Sequence, residues 1–138
     1  MTFLLPPVVA WAIAQVAKVA LSSIRQRRLN LRVLADPGGM PSSHSAIVMG
    51  LTTAIGHHGG VTSPSFAIAL IFSFVVMYDA AGVRRAVSLQ ARVLNRMLTE
   101  MIEAQHFNEE RLRELIGHTP FEVAVGALLG ALAAISLR

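Results

Sequence analysis

The sequence predicts an all-α, polytopic membrane helix bundle of about four transmembrane helices, with one amphipathic helix on its cytoplasmic side. Three observations support this fold class. Hydrophobic residues make up 54% of the 138 residues and charged residues only 14%, whereas soluble domains carry about 25% charged residues. The apolar residues are gathered into four runs, and most arginines flank those runs on one side. The length predicts a single domain over residues 1–138, a membrane-embedded one.

The four apolar runs cover residues 3–24, 45–56, 66–77 and 121–137. A transmembrane helix needs ~20 apolar residues. The first and fourth runs approach this length, the third does so if it extends to Ala81, and the second is shorter. A short run predicts a buried core helix equally well, but two long runs that bracket the short ones favour a membrane bundle.

The arginines predict the orientation of the bundle. Four of them follow the first run and four follow the third run, namely Arg25, Arg27, Arg28, Arg32, Arg84, Arg85, Arg92 and Arg96. Positively charged residues mark the cytoplasmic side, so both termini are expected outside. A secretory signal is excluded for the first run, because its charges follow the apolar stretch instead of preceding it.

Residues 87–115 predict the amphipathic helix. Leu89, Val93, Met97 and Met101 recur at helical spacing, with charged residues between them. This pattern fits a helix on the bilayer surface, one on a partner subunit, one that caps the bundle, or a solvated connection. His106 is expected on its surface.

The composition argues against disulfides, metal sites and nucleic-acid binding. The chain has no cysteine, which excludes disulfides and thiolate metal sites. Its few aromatic residues and lack of a basic block argue against nucleic-acid binding. His57 and His58 form a pair that lacks further zinc ligands, so no metal site is predicted.

Lys18 lies inside the first apolar run. An ionised lysine near a bilayer centre costs about 2.5–3.5 kcal/mol, which snorkelling toward the interface would reduce. Gln15, Lys18 and Arg25 share one helix face. A polar stripe of this kind is expected to face protein or water and not lipid.

Polar residues from four segments are predicted to meet at the cytoplasmic interface. Asp79 ends the third run, Glu122 begins the fourth, and His44 begins the second after the loop DPGGMPSSHS. With both termini outside, the ionisable residues expected at or near the cytoplasmic interface are Lys18, His44, Asp79, Arg84, Arg85, His118 and Glu122. Opposite charges and imidazoles at one level predict an anion site.

Two local patterns predict the groups that would bind an anion and act as a nucleophile. Ser42 and Ser43 stand where a helix must begin after a Pro–Gly turn, and hydroxyls with free N–H groups at a helix start bind anions. Glu122, four residues after His118, can fix the imidazole tautomer and leave the other nitrogen as a nucleophile. The alternatives are an ordinary capped helix in the first case and a favourable helix-dipole interaction in the second.

Three blocks, GGMPSSHSA, YDAAGVRRA and GHTPFEVAVG, resemble the divergent branch of the type-two phosphatidic acid phosphatase superfamily, which also contains the vanadium-dependent haloperoxidases. The resemblance spans about residues 15–130. It implies a phosphohydrolase with a histidine nucleophile and no metal or other cofactor. The implied substrate is a lipid phosphate, such as a prenyl phosphate or diphosphate or phosphatidate.

The resemblance also assigns roles. Lys18, Arg25, Ser42 and the adjacent backbone would bind phosphate, with Ser43 in the place of the family's glycine. His44 would protonate the leaving oxygen, and His118 would attack phosphorus, oriented by Glu122 in the place of the family's aspartate. The family's third motif has an arginine six residues before its histidine, and Leu112 occupies that position here. Arg84 or Arg85, oriented by Asp79, is the expected substitute. The family's first motif ends in a proline, which Gln26 replaces.

Two other functions remain open from the sequence. One is a non-catalytic lipid-phosphate binder or transporter on the same scaffold, and the other is a structural membrane protein whose charges lock its helices together. Gly126 and Gly130 have the spacing of a close helix contact. This spacing fits a homodimer or packing within one chain.

Overall fold

The computed structural model describes residues 3–34, 39–104 and 117–137, with the backbone alone at 31, 32, 84, 85 and 102–104. These residues form five α-helices and a short 3₁₀ turn at Leu31–Leu34, and no strand. The helices are α1 (Leu5–Gln26), α2 (Ser43–Gly59), α3 (Pro64–Ala81), α4 (Val83–Ala104) and α5 (Pro120–Ser136). The all-α prediction is confirmed.

The helix boundaries differ from the hydropathy runs in two places. The second helix is longer than the run 45–56, because it also takes in polar residues at both ends, from Ser43 to Gly59. The amphipathic helix begins at Val83 and not at 87, and it is described as far as Ala104. The predicted remainder to 115, with His106 and Leu112, lies outside the described residues.

Helix starts follow from local capping chemistry. Ser42, Ser63 and Thr119 each have extended backbone, and each accepts a hydrogen bond from an N–H three residues later. Proline occupies the first turn of α1, α3 and α5, where the absence of its N–H removes no helical hydrogen bond.

The central helix is α2, which packs against α1, α3 and α5. It runs antiparallel to α3, because Val48 meets Ser73 whereas Thr52 meets Ala69. It runs antiparallel to α1 as well, since Gly50 lies against Pro7 near the start of α1 and Gly39, before α2, lies against Lys18.

In contrast, α2 and α5 run parallel and in close contact. Gly126 packs on the backbone of Ser42 and Gly130 on that of Ala46. A Cβ at either glycine would overlap a carbonyl oxygen of α2, so only glycine allows this approach. The ends of α1 and α3 and the starts of α2 and α5 therefore lie together, and we call this the site end.

Residue size is distributed between the interior and the surface in the manner of a membrane protein. Among the described residues, the buried apolar side chains are alanines, prolines, Val48 and Val123, whereas large apolar side chains are exposed on the outer faces, including Trp11, Ile68, Ile71, Phe72, Phe74, Val75, Leu128 and Leu132. A soluble protein would bury the large side chains. Small residues at the contacts and large ones outside are what lipid requires.

Two helical stretches, Leu5–Gln26 and Pro64–Met101, are long and apolar enough to cross a bilayer, and Pro120–Ser136 is apolar but shorter. At a rise of ~1.5 Å per residue, α1 is about 33 Å long and α5 about 26 Å, against ~30 Å of hydrocarbon. The division of the chain into four spans remains a prediction.

Gly130→Ala tests the glycine contact between α2 and α5. The new methyl group would overlap the Ala46 carbonyl oxygen, so we expect a loss of about 1–3 kcal/mol in the free energy of unfolding, measured by denaturant unfolding in detergent. Gly59→Ala is the control, because its Cβ would meet only Ser63 Oγ at an ordinary 3.7 Å. Equal stability of the two variants would contradict the contact.

Candidate active site at the site end of the bundle

The candidate site is formed where α1, the start of α2 and the segment before α5 meet. Lys18 comes from the second half of α1, Ser42 and His44 from the start of α2, and His118 from the residues before α5. The Ser42 N–H donates to the Glu122 carbonyl oxygen at 3.1 Å. This hydrogen bond joins the two helix starts at the same level.

His118 is held by a reciprocal cap at the start of α5. The Thr119 N–H donates to Glu122 Oε2 at 2.9 Å, and the Glu122 N–H donates to Thr119 Oγ1 at 3.3 Å. The same Oε2 lies 3.4 Å from His118 Nδ1, which is a polar contact longer than a good hydrogen bond. The carboxylate thus fixes the helix start and faces the imidazole with one oxygen.

The imidazole of His118 is buried, with 1% of its surface exposed. Its Nε2 has no hydrogen-bond partner among the described residues. Burial, and next the positive charge of Lys18, lower the pKa of His118 below its ordinary 6.5; Glu122 opposes this and His44 adds to it. A neutral imidazole with one nitrogen directed by a carboxylate can act as a nucleophile or base.

Two more basic groups lie beside His118. The His44 ring is half-buried, with its centroid 6.2 Å from that of His118. Lys18 is only 3% exposed, and its positive charge is one of the causes that lower the pKa of His118. The aliphatic chain of Lys18 lies against Gly39, whose φ of +94° favours glycine.

The start of α2 supplies the hydrogen-bonding groups. Ser42 is fully buried, and its Oγ accepts from the Ser45 N–H at 3.4 Å and from the Ser45 hydroxyl at 3.1 Å. Ser43, also buried, is the first residue of the helix. N–H groups in a first helical turn have no helical carbonyl partner, so this end of α2 is suited to an anion.

Other predicted site residues are less buried than this cluster, or their side chains lie outside the described residues. Arg25 is exposed in the last turn of α1, and Asp79 is half-buried in the last turns of α3, both at the site end. Arg84 and Arg85 lie in the first turn of α4, and their side chains are outside the described residues. Their proposed contact with Asp79 therefore stays a prediction.

The structure adds residues that the motifs did not indicate. Ser88 on α4 is buried, and its Oγ accepts a hydrogen bond from the Gly117 N–H at 3.0 Å. It thereby ties α4 to the residue before His118. No periodicity could predict this contact, because its partners are 29 residues apart. No three His, Asp or Glu side chains within the described residues are placed to hold a metal ion.

The chain resembles a known family and a bacterial protein. A family model described as "Divergent PAP2 family" matches residues 1–133. The Bacillus subtilis (strain 168) protein named "Uncharacterized membrane protein YuiD" is 39% identical over 145 aligned positions, which cover 97% of this chain and 92% of that protein. No solved structure matches the chain.

The lowered pKa of His118 predicts a pH dependence of stability. Because its pKa is lowered in the folded state, the unfolded chain takes up this proton first as the pH falls below about 6.5. The free energy of unfolding should therefore decrease between pH 6.5 and the lower pKa of the folded state, and be unaffected by this group above pH 6.5. Unfolding in detergent across this range measures the slope.

His118→Asn should reduce that slope, whereas His57→Asn, at an exposed histidine of the opposite end, should keep it. An unchanged slope in His118→Asn would contradict the pKa assignment.

Proposed function

This chain belongs to the Divergent PAP2 family, and on that premise we propose that it is an integral membrane phosphohydrolase that removes phosphate from a lipid phosphate. The lipid is a prenyl phosphate or diphosphate, or phosphatidate. The reaction uses a phosphohistidine intermediate and no metal. The family match and the likeness to a membrane protein of Bacillus subtilis support a membrane protein related to this phosphatase family.

The observation that carries the proposal is the environment of His118. Its imidazole is buried beside a buried lysine, Nδ1 faces a carboxylate, and Nε2 has no hydrogen-bond partner among the described residues. The cap of α5 is complete with Thr119 and Glu122 alone, so helix capping does not require a histidine here. A buried polar atom without a partner is costly, and a catalytic role is one reason for a protein to keep such an atom.

The mechanism assigns one role to each group. Lys18 and the first-turn N–H groups of α2 neutralise the phosphate oxygens, which is the main requirement in phosphoryl transfer. His118 Nε2 attacks phosphorus in line, and the bond to the leaving oxygen breaks as His44 protonates that oxygen. Water then attacks the phosphohistidine and gives a proton to His44, and this step releases inorganic phosphate and restores both histidines.

The position of the site supports a lipid substrate. The phosphate-binding groups lie where helices end and begin, and the exposed sides of those helices carry large apolar residues. A phosphate head group at this level would have its acyl or prenyl chain alongside α1, α3 or α5. Arg25, Arg27 and Arg28 are exposed at the same end, and by the positive-inside rule these charges support a site on the cytoplasmic side of a multi-pass protein.

Leu112 in the place of the third-motif arginine favours a second candidate function. Loss of one phosphate-binding cation would lower transition-state stabilisation more than ground-state binding. The second candidate is therefore a protein that binds lipid phosphates and does not hydrolyse them.

Release of inorganic phosphate by detergent-purified protein, screened over prenyl phosphates, prenyl diphosphates and phosphatidate, tests the proposal. We expect His118→Ala to abolish release, and His44→Ala to reduce it about 10²–10⁴-fold through loss of the general acid. His57→Ala is the matched control, since this histidine lies at the opposite end, and it should retain wild-type activity.

Equal phosphate release by His118→Ala and wild type would rule out the phosphohistidine mechanism. Tight binding of a lipid phosphate by the wild type, with no release from any member of the screen, would establish the second candidate instead.

A further inference from the structure

Within the part of the chain that the structure describes, the amphipathic helix α4 has an apolar face with no partner helix. Among the described helices it packs only against the adjacent end of α3. Seven of its described large apolar side chains are about half exposed or more, namely Val83, Val87, Leu89, Val93, Leu94, Met97 and Met101. Exposure of this many large apolar residues on one helix indicates a surface that something else covers.

The residues around α4 divide into three sectors. Ser88 and Ala91 are buried, and Ser88 is bonded to the segment before His118, so this sector faces the protein. Val83, Leu94 and Met101 lie about 120–140° round the helix from Ser88, at 100° per residue. Arg92 and Arg96 are both exposed, and Arg92 lies about 160° from Leu94. One sector is thus held by protein, one is apolar and one is basic.

The position of α4 in the chain identifies what covers the apolar sector. Only Gly82 separates α4 from α3, so α4 begins where the third apolar helix ends. The exposed apolar side chains of α3, such as Val75 and Tyr78, are followed directly by those of Val83 and Val87. The lipid-facing surface of α3 therefore continues onto α4.

The charge of this region indicates the kind of lipid. The α4 sequence contains four arginines and two glutamates, and Arg25, Arg27 and Arg28 are exposed at the same end of the bundle. Arg96 and Glu100 form an ion pair with 3.2 Å between Nε and Oε1, but both side chains are mostly exposed, so solvent screens this pair and Arg96 can also meet a head group. The arginines exceed the glutamates, and this positive excess complements anionic phospholipid head groups.

We propose that α4 is an interfacial helix that binds the anionic membrane surface at the site end, with Val83, Leu94 and Met101 toward the acyl chains and Arg92 and Arg96 toward the phospholipid phosphates. Because Ser88 binds the Gly117 N–H, a helix seated in this way also fixes the segment that carries His118. This inference does not depend on catalysis, and it holds for a phosphatase and for a lipid-phosphate binder.

The absence of cysteine from the chain permits a direct test by single spin labels. Leu94→Cys and Arg92→Cys are labelled separately, and the full-length protein is reconstituted in phosphatidylcholine vesicles with or without phosphatidylglycerol. Collision with lipid-soluble oxygen and with a water-soluble nickel chelate is then measured. We expect a severalfold higher oxygen-to-nickel ratio at 94 than at 92, with a larger ratio at 94 when phosphatidylglycerol is present.

Three results would overturn the proposal. Equal access of nickel to both labels would place α4 in water. Dipolar broadening of the label at 94 would mean that a second copy of this chain covers the apolar sector. The same ratio at 94 with and without phosphatidylglycerol would exclude anionic head groups as the ligand.

A variant without two of the arginines tests head-group binding separately from burial of the apolar sector in lipid. With the label at 94, Arg92→Gln combined with Arg96→Gln should remove the effect of phosphatidylglycerol while the apolar sector stays in lipid. Persistence of the full phosphatidylglycerol effect in this variant would show that these arginines do not bind the head groups. A phosphate-release assay on the same reconstituted protein reports the proposed catalysis separately.

Discussion

The close backbone contact between α2 and α5 positions the candidate site. Gly126 and Gly130 lie directly on the Ser42 and Ala46 carbonyls, and the Ser42 N–H bonds to the Glu122 carbonyl oxygen at the same level. Two parallel helices are thus brought together with their positive N-terminal ends side by side. The capping serine of one and the histidine that precedes the other are neighbours because no side chain separates the helices.

This arrangement concentrates positive potential in a small, poorly hydrated volume. Lys18 and His118 are both almost fully buried, and the lysine lowers the affinity of the imidazole for a proton. Interactions between charges are strong where water is excluded, so an anion placed among these groups would be bound tightly. The glutamate that caps α5 also faces the imidazole, and one carboxylate therefore serves both the fold and the site.

Much of this could be predicted from the sequence, and the exceptions have physical reasons. Hydropathy predicted α1, α3 and α5. It predicted a second run that is shorter than α2, because that helix begins with the polar residues Ser43 and His44 and includes His57 and His58 near its end. Helical spacing predicted that Arg25 would share a face with Lys18. Spacing alone does not show how deeply each residue is buried, and Arg25, in the last turn of α1, is exposed. The Ser88 contact depends on tertiary packing, which no local pattern encodes.

The claim that Lys18 and His118 bind one shared anion is tested most directly with orthovanadate, which resembles phosphate and can adopt the five-coordinate geometry of the transferring phosphorus. Vanadium NMR of the purified protein should show a bound resonance that inorganic phosphate displaces. Lys18→Met and His118→Ala should each abolish this resonance, and Arg28→Gln, at an exposed arginine, should leave it unchanged. Binding of vanadate by Lys18→Met as tightly as by the wild type would contradict the account.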